Sequence, residues 1–270
     1  MGLPALVLAA AAAAALAEGD AHYARRAEGA RGAQALPAEA DAAVAAYRRA
    51  LAEDPESLLA RARLVRALFF RASFVPASED ERRALIEEAR RVGNDGVERV
   101  EPLVGKASGA ARLDILRRVP QAVDIHFWAA VAWGEWALAR GKLAAARQGA
   151  GGRIRDLGQT VVDLDPGFEQ GGGQRILGRL HDQSPRIPFL TGWVSRDKAI
   201  AFLRDALAHG PQNTVNQFFL AEALLDHRPE QKDEARRLLE QCAAAPPRPE
   251  FLVEDAYYAA LSRQRLAALK

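Results

Sequence analysis

The residue types that carry most enzyme chemistry are present in this chain but are not spaced for it. The histidines are scattered, and no two have the spacing of metal ligands on one helix face; they are His22, His126, His181, His209 and His227. Gly105-Lys106 fails as a phosphate-binding loop, because Val100 and Ala107 stand where glycine and Ser or Thr are needed. His-Glu-x-x-His and Gly-x-Ser-x-Gly are absent. We therefore predict no catalytic residue, no metal site and no cofactor, and hence no enzyme.

Three of the four tryptophans lie close together at Trp128, Trp133 and Trp136. In a helix, Trp133 and Trp136 are one turn apart and Trp128 lies two turns before Trp136, so the rings share a broad face. That face could line a cavity for an apolar ligand. It could equally be a packing seam between neighbouring helices, and aromatic stripes at helical spacing usually belong to a core.

A run of three glycines precedes Arg175 and the pair Leu177-Gly178. Exposed backbone N–H groups at Gly171 and Gly172, together with the Arg175 charge, could hold an anion. The competing interpretation is a turn that lets Gly178 pack against the paired helix, and a glycine run alone favours it. We therefore treat Gly171, Gly172, Leu177 and Gly178 as a structural motif and Arg175 as a candidate binding residue.

The segment from Asp182 to Arg196 interrupts a helical pattern with two prolines and one glycine, and it contains Trp193. An insertion of this kind maps to one rim of a repeat protein. Trp193 is therefore a further candidate for contact with a ligand or partner.

The elements that carry these residues are predicted to be helices, since Ala, Leu, Arg and Glu dominate and strand-like runs are nearly absent. One sequence pattern recurs: a small residue, a large residue four positions later, a second small residue and then proline. Its clearest copies are Ala43-x3-Tyr47-x2-Ala50, Ala199-x3-Leu203-x2-Ala206 and Ala235-x3-Leu239-x2-Cys242, with a shorter form ending Leu164-Asp165-Pro166. This spacing is typical of the second helix of a tetratricopeptide (TPR) hairpin.

The closing prolines are Pro55, Pro166, Pro211 and Pro247, and the last two intervals approach the roughly 34-residue TPR period. We predict an all-α, TPR-like helical-hairpin solenoid with a C-terminal capping helix over Glu250–Leu269. Further helices are expected at 56–74, 79–92 with Ser78 as cap, 110–118, 124–140, 143–163, 174–181 and 216–225. Residues 93–108 remain open between helix and loop.

The N-terminal segment from Leu3 to Ala17 is apolar and ends in Ala15-Leu16-Ala17, the small-x-small pattern of a signal-peptidase site. We predict a cleavable signal peptide over 1–17, a single repeat domain over 18–270 and a periplasmic location. The alternative is that this alanine-rich run is the first helix of the repeat array.

The charge balance bears on which partners the chain can bind, and the cysteine content bears on whether it can form a disulfide. The chain has 37 basic and 35 acidic residues, well mixed, for a formal net charge of +2, so we predict no nucleic-acid partner. Cys242 is the single cysteine, which excludes a disulfide within the chain and predicts a small core residue.

Residues Pro120 to Pro247 resemble the T-component (TatT-like) family of TRAP transporter systems. The resemblance is carried by Asp165-Pro166-x-Phe168-x2-Gly171-Gly172-x2-Arg175-x-Leu177-Gly178-x-Leu180, then Pro185. It implies a periplasmic accessory protein of solute uptake that associates with a solute-binding protein, forms a homo-oligomer (a trimer) and passes on an apolar ligand. The family's members are often lipid-anchored, whereas here no cysteine follows the apolar run. The alternative is a general TPR-like protein-interaction scaffold without a transport role.

Overall fold

The structure is a computed structural model that describes the backbone of residues 3–269 and the side chains of residues 8–269. Over these residues it contains thirteen α-helices, two short 3-10 helices and no β-strand. The chain forms two compact units, one up to Trp136 and one from Ala137 onward, and the boundary falls within α6. The predicted all-α, helical-hairpin fold is confirmed.

The first unit is built from hairpins. Helix α1 packs against α2 and α3 against α4, while α5 is a short connector. Its helices are α1 (Leu3–Ala24), α2 (Pro37–Glu53), α3 (Leu58–Phe74), α4 (Glu79–Val104), α5 (Gly109–Leu116) and α6 (Ala122–Arg140). Gly93 lets α6 approach α4 closely, because a Cβ there would lie 3.0 Å from Ala129 Cα.

The second unit repeats the arrangement with α9 packed on α10 and α11 on α12, while α8 packs on α9. Its helices are α7 (Lys142–Arg147), α8 (Ala150–Leu164), α9 (Gly172–Gln183), α10 (Arg196–His209), α11 (Thr214–His227), α12 (Lys232–Ala244) and α13 (Leu252–Ala268). Helix α13 packs on α12 and α11, which confirms the capping helix.

The recurring pattern marks the second helix of three hairpins, which are α2, α10 and α12. Ala43, Tyr47 and Ala50 of α2 are essentially unexposed, as are Ala199, Leu203 and Ala206 of α10. Small residues one turn from a large one allow close helix approach while the large side chain fills the interior. Cys242 occupies the same position in α12 and is buried, so its prediction as a core residue is confirmed.

Two helix predictions needed changes. Residues 93–108 are helical up to Val104, and α4 ends at Gly105, whose φ of 60° suits glycine. The expected single helix over 143–163 was wrong: it breaks after Arg147, and Gly149 (φ 75°) precedes α8. A left-handed residue cannot continue a right-handed helix, so the chain restarts there.

The predicted signal peptide begins outside the described residues, at 1 and 2, and its side chains are described from residue 8. Helix α1 continues past the expected cleavage point at Ala17, and Ala15 packs with Ala50 and Ala60. Cleavage, the single-domain assignment and periplasmic location stay predictions. Along the described chain, no helix combines the length and apolar character needed to cross a bilayer.

Candidate functional site

Trp133 and Trp136 lie in the seam between α6 and α4. Their rings meet edge to face at 5.3 Å, and the Arg90 guanidinium lies 4.9 Å from the Trp133 ring centre and 5.1 Å from that of Trp136. The Trp133 indole N–H donates to Asn94 Oδ1 at 2.8 Å. Both indoles therefore have packing and polar partners on the neighbouring helix.

Trp128 lies in a different seam. The centre of its indole ring lies 6.0 Å from the ring centre of Phe69 in α3 and 4.9 Å from that of its neighbour Phe127. The three tryptophans of α6 thus contact two different helices, Trp128 on α3 and Trp133 and Trp136 on α4. This arrangement favours the packing interpretation of the aromatic stripe.

The glycine motif is a close-packing device. A Cβ on Gly171 would lie 2.8 Å from Ala206 Cα, and one on Gly178 would lie 2.6 Å from Leu203 Cγ. Leu177 is buried, and the Gly172 N–H already donates to Phe168 O at 2.8 Å. These positions bring α9 against α10.

Arg175 is half-buried and bonded to neutral oxygens. Its guanidinium donates to Asn216 Oδ1 at 2.8 Å and to the Glu169 carbonyl at 3.3 Å. Burial lowers the pKa of Arg175, the nearby Glu169 carboxylate opposes that effect, and the Arg248 guanidinium adds to it. Arg175 therefore ties the segment before α9 to α11.

Trp193 supports the loop between α9 and α10. Its ring meets the ring of His181 edge to face at 5.4 Å, and the Arg155 guanidinium lies 4.9 Å from its centre. The Ser195 N–H donates to His181 Nδ1 at 3.2 Å. Burial, followed by the charges of Lys198, Arg196 and Arg155, lowers the pKa of His181 to about 4.

A surface that the sequence prediction missed runs across α9, α11 and α13. The Arg179 guanidinium lies 4.3 Å from the centre of the Phe219 ring, and Phe219 meets Tyr258 edge to face at 5.6 Å. All three side chains are half-buried. They recur at intervals of 40 and 39 residues, so they occupy equivalent positions in successive repeats, and that periodicity was the signal in the sequence.

Ion pairs hold this face, which we call the α9–α11–α13 face. Asp182 is buried and contacts Arg179 at 2.6 Å and His227 at 2.9 Å. Across α11 and α13, Arg265 pairs with Glu222 at 2.7 Å. Asp182 thus links α9 to α11 and Arg265 links α13 to α11, so the helices that carry Phe219 and Tyr258 are cross-linked.

The described residues contain no group of three or more potential metal-ligating side chains. No family model matches the chain, and no curated protein matches it.

Solved structures are similar to it. A thermophilic TPR protein of Thermus thermophilus matches with a TM-score of 0.53 and 19% identity over 95% of this chain and 97% of that one. The TPR2AB domain–pHSP90 complex of yeast Sti1 matches at 14% identity and TM-score 0.32 over 95% of this chain and 97% of that one. Yeast Tom70 matches at 12% identity and TM-score 0.30 over 95% and 65% of the two chains. The first of these likenesses establishes that the chain has a TPR-type helical-repeat fold.

Proposed function

We propose that this chain is a TPR-type protein-interaction scaffold and that the α9–α11–α13 face binds the partner. One observation carries the proposal: Arg179, Phe219 and Tyr258 form a continuous, half-exposed row on the first helices of successive repeats. Arg, Tyr and Phe are enriched at protein interfaces, and Arg and Tyr are enriched among the residues that dominate binding energy.

The row is suited to an extended peptide segment because it crosses three helices. The edge-to-face pair of Phe219 and Tyr258 offers an apolar contact, and the Arg179 guanidinium covers one end of it. A bound apolar side chain would complete the burial of the two rings. Prepositioning by the ion pairs of Asp182 and Arg265 keeps the ordering cost of binding low.

The experiment is peptide selection on the purified chain followed by affinity measurement. Peptides enriched on the wild type should bind the Phe219→Ala and Arg179→Gln variants at least about tenfold more weakly, as expected for residues at the centre of an interface. Leu252→Ala, an exposed leucine at the start of α13 outside the row, is the matched control. Equal binding by wild type and both variants, with circular dichroism showing all of them folded, would reject the face.

A narrower function rests on the resemblance of Asp165–Leu180 to the TRAP transporter T-component family. In that version the partner is a periplasmic solute-binding protein, the predicted signal peptide exports the chain, and the protein is a homo-oligomer that handles an apolar ligand. The test is co-purification of residues 18–270 with the solute-binding protein encoded beside it. A strictly monomeric chain that captures no such protein would remove the transport role and leave the scaffold.

A further inference from the structure

The second unit also presents a basic and apolar surface. It comprises Leu138 at the end of α6, Lys142, Leu143 and Arg147 of α7, and Arg186, Phe189 and Leu190 of the loop between α9 and α10. We call this set the loop–α7 patch.

The two parts of the patch are neighbours. Lys142 Nζ donates to Gln183 Oε1 at 2.6 Å, which joins the start of α7 to the end of α9. At the beginning of α8, a Cβ on Gly151 would lie 3.5 Å from Thr191 Cγ2 and 3.6 Å from the Trp193 ring. Both ends of the loop therefore rest on the segment that carries α7.

The apolar side chains of the patch are unusually exposed. Phe189 is fully exposed, and Leu138, Leu143 and Leu190 are each about half exposed. These four make up half of the exposed large hydrophobic residues among the side chains described. Contiguous exposed apolar groups on a folded surface mark a site of interaction.

Hydrogen bonds within the loop and from Arg196 fix the backbone on both sides of Phe189. Thr191 Oγ1 accepts from the Ile187 N–H at 2.9 Å and donates to the Pro185 carbonyl. Arg196 donates to the carbonyl oxygens of His181, Asp182 and Ser184. Phe189 itself has a φ of 66°, a left-handed conformation that is uncommon for a bulky residue. The backbone on both sides of Phe189 is thus fixed by hydrogen bonds, and the ring itself projects into solvent.

The surroundings of these side chains are basic. Residues 136–155 and 183–196 contain seven Lys and Arg residues and no acid, in a chain that otherwise mixes the two signs. The acids that border these segments are Glu135, Asp156, Asp182 and Asp197. Asp156 pairs with Arg155 at 2.9 Å, Asp182 is buried against Arg179, and Asp197 pairs with Arg228. Across the described residues, no carboxylate lies within ion-pair distance of Lys142, Arg147 or Arg186.

We propose that the loop–α7 patch docks the protein on an anionic phospholipid surface, with Phe189 and Leu190 entering the headgroup region. The charge of the patch complements anionic headgroups, which attract Lys and Arg near the bilayer. Aromatic and leucine side chains flanked by basic residues are the composition of interfacial membrane contacts. A protruding tip also suits a deformable bilayer, whereas a protein partner would need a pocket shaped to receive it.

The test is sedimentation of the full chain with vesicles of phosphatidylcholine alone and with vesicles containing about one third phosphatidylglycerol. We expect binding to the anionic vesicles only, and weaker binding as salt is raised from low levels to about 0.15 M, since ions screen the attraction. Absence of binding to anionic vesicles at low salt would overturn the proposal.

Two variants locate the contact. Arg147→Gln with Arg186→Gln should weaken binding about 25-fold, at roughly fivefold for each charge. Phe189→Asn should weaken it about tenfold while easing the left-handed backbone, which Asn accepts more readily than Phe. The control is a double variant that combines Arg91→Gln with Leu103→Ser, two exposed residues on α4 in the first unit. Binding that survives both patch variants, or falls equally in the control, would show that the membrane contact lies elsewhere.

Discussion

Arg175 and Asn216 are joined by a hydrogen bond of 2.8 Å that links α9 to α11 across the second unit. Asn216 is fully buried, and its amide nitrogen also donates to the carbonyls of Gln170 at 2.9 Å and Ala206 at 2.8 Å. The Asn216 side chain thus hydrogen-bonds to the Gln170 carbonyl before α9, to the Ala206 carbonyl near the end of α10 and to the Arg175 guanidinium on α9. Arg175 therefore has a structural role, because it joins α9 to α11.

Replacing Asn216 by alanine should therefore destabilise the second unit. The change removes the side-chain donor of the Gln170 carbonyl and one acceptor of Arg175, whereas the Ala206 carbonyl keeps the Gly210 N–H and Arg175 keeps the Glu169 carbonyl. An unsatisfied polar group costs about 1–3 kcal/mol, so we expect a loss of that size in the free energy of unfolding. Urea denaturation followed by circular dichroism measures it. Gln212→Ala, at an exposed position four residues earlier, is the control and should change stability by less than about 0.5 kcal/mol.

Gly178 should be intolerant of alanine. A Cβ there would lie 2.6 Å from Leu203 Cγ and 3.2 Å from the Ala199 carbonyl oxygen, so α9 and α10 would have to separate. Overpacking of this kind costs about 1–3 kcal/mol. Gly152→Ala in α8 is the matched control, because no atom lies within 4 Å of its Cβ position and alanine favours helix by about 0.5–1 kcal/mol. Thermal unfolding should rank the two variants on opposite sides of wild type; equal midpoints would contradict the close approach.

Local signals in the sequence predicted the fold well. Ser78 caps α4 by accepting from the Glu81 N–H at 3.2 Å. The prolines at 55, 211 and 247 follow the three helices that have the small-large-small spacing, and Pro166 follows α8, which has its shorter form. These features depend on residues a few positions apart, so single-sequence reasoning detects them. The break at Gly149 was harder to predict, because Gly149, Gly151 and Gly152 all weaken a helix and the sequence does not show which of them adopts a left-handed φ.

The candidate site was harder to predict because its contacts are long-range. Arg175 was chosen for its charge, yet its role depends on Asn216, 41 positions away. Arg179, Phe219 and Tyr258 were not singled out, since their meeting depends on the stacking of three repeats. Trp128, Trp133 and Trp136 share one helix as predicted, but their partners on α3 and α4 decide what the rings do.

Trp136 provides a test of the packing interpretation of the aromatic stripe. Its ring is buried between Trp133 and Arg90, so Trp136→Ala should cost about 3–5 kcal/mol in the free energy of unfolding. Trp133→Phe keeps an aromatic ring but loses the bond to Asn94, and should cost about 1 kcal/mol. Leu138→Ala, exposed on the same helix, is the control. A Trp136→Ala protein of wild-type stability would revive the alternative of a ligand-lined cavity.

His181 should make the stability of the second unit depend on pH. Burial holds its folded-state pKa at about 4, below the ordinary value of 6.5, so the unfolded chain takes up the proton first as pH falls. Stability is therefore lost between about pH 6.5 and pH 4, by up to about 3 kcal/mol if the full shift is expressed. Urea denaturation at several pH values measures the slope.

The His181→Asn variant separates the effect of protonation on stability from the effect of packing. The Asn amide oxygen can accept from the Ser195 N–H as His181 Nδ1 does, but it does not titrate. The variant should lose some stability at pH 7.5 because the rings of Trp193 and Phe202 lose their partner. It should nevertheless show a flatter stability profile than wild type between pH 6.5 and 4. Parallel profiles over that interval would mean that protonation of His181 is not what weakens the fold.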